Sequence, residues 1–167
     1  VMEMLQRLPK SKVNKTVYIV SSDTMVENPI VGNYMHKMSE MIGETGSKLK
    51  IKADIIYPQI EDTFWCKVIG LGYPTPEAPG FRWCTDRLKI YPMNKYTLET
   101  IKNNGEVVLL LGVRKAESTY RANNIRSREI EGTILVPHTD IENAYVSNPL
   151  TEILNEIVWE FIIKDDE

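Results

Sequence analysis

Residues 16–24 read Thr-Val-Tyr-Ile-Val-Ser-Ser-Asp-Thr, a β-branched and apolar run that passes into polar side chains. Such a run is typical of a buried strand that ends in a loop. The segment 29–44 follows, where Pro29 suits the first turn of a helix and apolar residues recur at helical spacing. The sequence therefore predicts a strand, a loop and a helix in succession.

The same alternation continues along the chain. We predict the following further elements: strand 49–57, helix 61–69, helix 84–104 in two pieces broken at Pro92, strand 106–111, helix or ordered loop 114–128, a brief strand at 134–136 and a C-terminal helix. The run Val107–Leu111 shows so little polar alternation that we expect it to be buried on both faces. Alternating strands and helices predict an α/β fold with a mainly parallel sheet.

The chain has 167 residues, which predicts a single domain over 1–167. A helix ending before Pro9 is expected at 2–8, the glycine- and proline-rich stretch 70–83 is expected to be an irregular loop, and 129–146 has no clear assignment.

Composition excludes several classes of protein. Hydrophobic residues make up 43% and charged residues 26%, which is typical of a globular chain and not of a disordered one. Two cysteines cannot build a disulfide framework, so we expect a reducing, cytoplasmic setting. No apolar run approaches the ~20 residues of a membrane span, and we expect no membrane partner.

The net charge of −3 hides an uneven distribution. Residues 82–128 hold ten basic and four acidic side chains, whereas the remainder holds ten basic and nineteen acidic ones. This asymmetry predicts a localised anion site, although a solvated charged face would show the same pattern.

Ligands of open α/β sheets bind beyond the carboxyl ends of the strands, so the loops that follow strands are candidate sites. After 106–111, helical spacing would bring Arg114, Ser118 and Arg121 around one anion. The alternative is an ordinary helix start in which Glu117 pairs with Arg121.

Cys84 lies near a predicted helix start between basic side chains, a setting that favours the thiolate. It is a candidate nucleophile, sulfur carrier or cluster ligand. Cys66 lies on an apolar helix and is interpreted as a core residue, and His36 and His138 are interpreted as structural.

Three segments carry a family resemblance, namely Ser22-Asp23-Thr24…Glu27…Pro29, Phe81-Arg82-Trp83-Cys84-Thr85…Arg87-Leu88-Lys89…Pro92 and Gly112-Val113-Arg114-Lys115-Ala116-Glu117-Ser118…Arg121. In this order they resemble the phosphoadenosine-phosphosulfate reductase-like branch of the ATP pyrophosphatase superfamily. Within that branch the chain is most similar to DndC-type sulfurtransferase subunits of DNA phosphorothioation systems. The similarity of 149–159 to the family further indicates a helix beginning near Asn155.

The resemblance implies an adenine nucleotide α-hydrolase-like (Rossmann-like) core and an enzyme that incorporates sulfur into DNA. Asp23 and Thr24 would lie near the adenosine, and Cys84 would carry persulfide sulfur or ligate an iron–sulfur cluster. Five residues would serve the phosphates, namely Arg87, Lys89, Arg114, Ser118 and Arg121. ATP or a related nucleotide, Mg²⁺ and a [4Fe–4S] cluster are the implied cofactors. The implied partners are DNA, other DNA-modification subunits and a cysteine desulfurase.

The chain departs from the family in two ways. The glycine-rich phosphate loop after the first strand of the family's sheet is not found, nor are the further cysteines of a cluster. We therefore expect a piece of a longer protein, inactive by itself. The absent strand would lie between those at 17–20 and 107–111, so we expect the piece to self-associate or to close up its sheet.

Two other functions remain open. The same fold would suit a reductase of phosphoadenosine or adenosine phosphosulfate in sulfur assimilation. A module that binds a nucleotide or a partner protein without catalysis is the third interpretation.

Overall fold

The computed structural model describes residues 15–46, 50–75, 82–129 and 133–165. These residues form a mixed α/β structure with short parallel and mixed sheets. The chain divides into two compact units, one up to Tyr96 and one from Thr97 onward. Among the described residues, no helix combines the length and apolar character needed to cross a membrane. The predicted helix 2–8, residues 76–81 of the predicted loop and residues 130–132 lie outside the described residues.

The first unit contains a parallel pair of strands, β1 (Val17–Ser22) and β2 (Ile51–Ile56). Val17 lies opposite Ile51, and the register continues to Ser22 opposite Ile56. Helix α1 (Pro29–Gly46) connects the two strands and packs against β2. The strand, helix and strand predicted for this segment are confirmed, with ends that differ by one or two residues.

A chain of helical turns follows β2. Its members are a 3₁₀ turn (Ile60–Asp62), the π-helix π1 (Cys66–Gly70), the short helix α2 (Trp83–Thr85), the π-helix π2 (Asp86–Ile90) and helix α3 (Tyr91–Asn104). The described part of the predicted loop, residues 71–75 and 82, has little regular structure.

The predicted break at Pro92 is wrong, because helical turns continue without interruption from Trp83 to Asn104. Pro92 is the second residue of α3 and follows π2, whose wider turn is closed by a bond from the Tyr91 N–H to the Asp86 carbonyl. Within this continuous helical segment Pro92 supplies no N–H, and a π turn provides the local adjustment that its ring requires.

An aromatic cluster stabilises the helical part of the first unit. The Trp83 ring is buried, stacks on Phe64 at 5.8 Å between centroids and meets Tyr73 edge-on at 5.5 Å. The Trp83 indole N–H donates to the Pro74 carbonyl at 3.0 Å. Buried aromatic pairs contribute apolar contact area, and the hydrogen bond of the indole N–H orients the ring. The cluster therefore holds in place Trp83, the residue before Cys84.

The second unit contains a three-stranded mixed sheet with the order β3 (Val107–Leu110), β5 (Ala144–Ser147), β4 (Val136–Pro137). β3 is parallel to β5, and β4 is antiparallel to it. Its helices are α4 (Thr119–Arg126) and α5 (Asn155–Asp165). The helix expected to begin near Asn155 is confirmed.

The prediction that the strand at 106–111 is buried on both faces is wrong for the described residues. Val108 is 49% exposed and Leu110 is 59% exposed, while Val107 and Leu109 are partly covered. Burial of a parallel strand needs cover on both faces and partners on both edges. Among the described residues β3 pairs with β5 alone, and β1 pairs with β2 alone.

Candidate functional site

Asp23 is the first residue after β1, and its backbone N–H extends the pairing by donating to the Ile56 carbonyl at 2.9 Å. One carboxylate oxygen accepts the Met25 N–H at 2.8 Å. The other lies 3.2 Å from His36 Nε2. Met25 has a φ of 62°, so the loop turns sharply here. Asp23 is thus held on both oxygens, and His36, interpreted from the sequence as structural, contacts a candidate site residue.

Thr24 and Lys89 are brought together by Glu27. Thr24 is 3% exposed and donates its hydroxyl to Glu27 Oε1 at 2.9 Å. Lys89 Nζ lies 3.7 Å from the same oxygen. Thr24 and Lys89, two predicted site residues from different segments of the sequence, therefore meet at the Glu27 carboxylate.

Arg87 is held by Asp62, whose Oδ1 atom lies 3.4 Å from an Arg87 terminal nitrogen and 2.9 Å from Lys67 Nζ. The Arg87 guanidinium also lies over the Tyr91 ring, 5.0 Å from its centroid. Lys67 is 8% exposed, and sequence reasoning missed it. The Asp62 carboxylate is thus shared by two cations.

Cys84 is the middle residue of α2, between buried Trp83 and exposed Thr85. Its thiol is free and of intermediate burial, as is that of Cys66. Among the described residues, no group of three or more histidine, cysteine or acidic side chains is arranged to hold a metal. The two described cysteines do not supply the ligand set of an iron–sulfur cluster.

In the second unit, Glu117 lies between two arginines. Its Oε1 atom is 3.5 Å from Arg114 Nε, and its Oε2 atom is 2.5 Å from an Arg121 terminal nitrogen. Ser118 caps α4, because its hydroxyl oxygen accepts the Arg121 N–H at 3.1 Å. The local pairing of Glu117 with Arg121 is present. The expected helical spacing from Arg114 to Arg121 is wrong, because a 3₁₀ turn (Lys115–Glu117) and an extended Ser118 precede α4. The two arginines are instead brought together by their shared partner Glu117.

The Arg114 side chain is 19% exposed, and one of its terminal nitrogens is buried without a hydrogen-bond partner among the described residues. A buried guanidinium N–H normally has an acceptor. Arg114 therefore retains donor capacity close to the start of α4.

Lys115 anchors the same loop. Its Nζ atom lies 2.8 Å from Glu129 Oε1 and 2.5 Å from Glu152 Oε1, and its backbone N–H donates to the Thr151 carbonyl at 2.9 Å. Hydrogen bonds to Glu129 and then Glu152 raise the pKa of Lys115 above its ordinary value. The residue holds the loop after β3 against the segments that contain Glu129 and Thr151.

Each unit thus gathers a separate set of predicted site residues. In the first unit, Thr24 and Lys89 meet at Glu27, whereas Arg87 is held by Asp62 and Asp23 contacts His36. Cys84 lies in α2, just before the π2 turn that carries Arg87 and Lys89. The second unit brings Arg114, Ser118 and Arg121 to the start of α4.

No protein-family model matches this chain, and no curated protein matches it.

Proposed function

We propose that the chain is the nucleotide-binding part of a DndC-type sulfurtransferase, which uses an adenine nucleotide to incorporate sulfur into DNA. The observation that carries the proposal is the cluster of Arg114, Ser118 and Arg121 at the start of α4, just beyond β3. The placement of such a cluster after a parallel strand is typical of phosphate sites in α/β folds.

The chemistry of the cluster suits a phosphate chain. Guanidinium groups present forked donors that match phosphate oxygens, and backbone N–H groups at a helix start favour negative charge. Glu117 accepts a hydrogen bond from Arg121 and forms an ion pair with Arg114 in the structure. A phosphate carries more negative charge and more acceptor oxygens than this one carboxylate, so it would compete for the same donors.

An adenine nucleotide α-hydrolase-like core is part of the same proposal. Its support is the parallel pairing of β1 with β2 and of β3 with β5. Apolar β1 and β3 each have an edge that is unpaired within the described residues, which suits membership of larger parallel sheets.

In this proposal an oxygen of the DNA phosphate attacks the α-phosphorus of ATP and displaces pyrophosphate, and Arg114 and Arg121 disperse the negative charge that develops on that leaving group. Cys84 carries, as a persulfide, the sulfur supplied by a cysteine desulfurase, and its outer sulfur attacks the adenylated phosphorus and displaces AMP. A second thiol then attacks the Cys84 sulfur, which forms a disulfide and releases the phosphorothioate. Arg87 and Lys89, two and four residues beyond the end of α2, contribute positive charge toward the phosphates.

Calorimetric titration of the full-length protein with ATP tests the phosphate site. Arg114→Ala should weaken ATP binding by ~10-fold or more, because one charge-assisted hydrogen bond contributes about 1.5–3 kcal/mol. Arg126→Ala is the matched control, since Arg126 is exposed in the last turn of α4. Equal affinity of the wild type and Arg114→Ala, or no ATP binding by either, would contradict the proposal.

A further inference from the structure

The carbonyl of Leu88 has an unusual donor. In an α-helix this carbonyl would accept the N–H of residue 92, but residue 92 is proline and has none. In the structure the Ser22 hydroxyl, at the end of β1, donates to the Leu88 carbonyl at 3.0 Å. A side chain from a distant strand therefore occupies the position of the missing helical donor.

This bond lies in a poorly hydrated place. Leu88 is 3% exposed, and Ser22 is partly covered. A buried carbonyl without a donor costs about as much free energy as a lost hydrogen bond. The serine hydroxyl and the proline are thus complementary, because one supplies the donor that the other removes.

The neighbours of Leu88 are held in a similar way. Arg87 contacts Asp62, which follows β2, and Lys89 contacts Glu27, in the loop after β1. The side chains of Arg87 and Lys89 and the backbone carbonyl of Leu88 are thus held by three separate segments, and such contacts restrict the rotation of the turn that carries them. The set Arg87, Leu88 and Lys89 therefore fixes π2 relative to the ends of β1 and β2.

We propose that Ser22 is a positioning residue: its bond to the Leu88 carbonyl, required by Pro92, sets the rotation of π2 and of the adjoining turn that carries Cys84. This orients Arg87, Lys89 and Cys84 together. The roles of those three residues rest on the proposed function, whereas the exchange of donors between Ser22 and Pro92 does not.

A double-mutant cycle tests the exchange. Ser22→Ala, Pro92→Ala, the double variant and Ser22→Thr would be made in the full-length protein with Cys66→Ser, so that Cys84 is the one thiol of this chain segment. Thermal unfolding reports stability. The rate of Cys84 alkylation by iodoacetamide, measured by mass spectrometry of its peptide, reports the position of the turn.

We expect Ser22→Ala to lower the unfolding temperature by a few degrees and to accelerate Cys84 alkylation about five- to tenfold. With Pro92→Ala present, the N–H of residue 92 can donate to Leu88, so the serine substitution should have less than half of either effect. Ser22→Thr retains a hydroxyl and should resemble the parent protein.

Additive effects of the two substitutions would overturn the exchange between Ser22 and Pro92. A lowered unfolding temperature with unchanged Cys84 alkylation would overturn the positioning role, since a structural bond alone predicts that result. ATP titration of the same variants separates the two proposals. If the parent protein binds no ATP, the proposed function fails, and the cycle still decides the role of Ser22.

Discussion

At the residue scale, the candidate site depends on carboxylates that hold cations in place. Glu27 contacts both Thr24 and Lys89, Asp62 contacts two cations, and Glu117 contacts two arginines. In each case a predicted cationic side chain is oriented by an acidic one. An isolated surface pair contributes little to stability, but shared carboxylates restrict the directions in which the donors point.

Thr24 offers a direct test of this arrangement. Thr24→Val keeps the shape of a buried side chain and removes its hydrogen bond to Glu27. We expect the free energy of unfolding to fall by about 1–2 kcal/mol, as measured by urea denaturation. Thr85→Val, at an exposed position, is the control and should change stability little. An equal loss in both variants would show that the Thr24 bond has no specific role.

The sequence indicated the site residues that are close along the chain. The pair Glu117 and Arg121 is separated by one helical turn, so its spacing predicts contact. The contact of Lys89 with Glu27 joins distant segments, and its partner could not be read from local spacing. Lys67 was missed because a lysine in a helical segment is normally exposed, whereas here it pairs with Asp62 in a buried position.

At the element scale, the strands and the long helix α1 follow from patterns of apolar residues, and the prediction at Pro92 fails for a tertiary reason. A proline in a helix predicts a break when the helix is considered alone. In the structure the π turn before Pro92 accommodates the proline ring, and the Ser22 hydroxyl donates to the Leu88 carbonyl. Neither can be deduced from the residues next to the proline.

Lys115 anchors the loop after β3, and its effect on stability should depend on pH. Its pKa is raised in the folded state, so its ion pairs contribute fully below the ordinary value of 10.5 and are lost as the pH rises through the higher folded value. Lys115→Met should therefore unfold at a lower temperature than the wild type at pH 7. The difference should shrink above pH 10.5.

Thermal unfolding of both proteins from pH 7 to strongly alkaline conditions measures this effect. Lys95→Met, at an exposed position in α3, serves as the control. A difference between Lys115→Met and the wild type that stays constant across the whole range would contradict the contribution assigned to the ion pairs.

At the scale of the whole molecule, the burial of β3 is the main feature that the sequence did not predict correctly. β3 has an apolar sequence, a single strand partner among the described residues and a half-exposed Leu110. Such an edge invites pairing with another strand, because it carries no proline or charge that would oppose it. The burial of a strand depends on its neighbours, which the strand's own sequence does not specify.

Self-association of the 167-residue chain should therefore depend on β3. We expect light scattering to show oligomers of the wild type and a shift towards monomer for Leu110→Lys, since a charge at an edge strand opposes pairing. Ile134→Lys, at another exposed apolar position, is the control. A monomeric wild type, or oligomers unaffected by Leu110→Lys, would show that this edge is not used.

The proposed function and its two alternatives differ in what they predict for the phosphorothioate content of cellular DNA. If the chain were a reductase of sulfur assimilation, its loss would lower the phosphorothioate content of DNA only by limiting the supply of sulfur. A binding module without catalysis would not need a thiol. The sulfurtransferase proposal requires the Cys84 thiol and makes Cys66 dispensable.

The most direct test is the phosphorothioate content of DNA, measured by mass spectrometry of digested DNA from a deletion strain grown with ample cysteine. We predict that the deletion abolishes phosphorothioate, that the wild type and Cys66→Ser restore it, and that Cys84→Ser does not. Phosphorothioate that persists in the deletion strain, or that Cys84→Ser restores in full, would contradict the account.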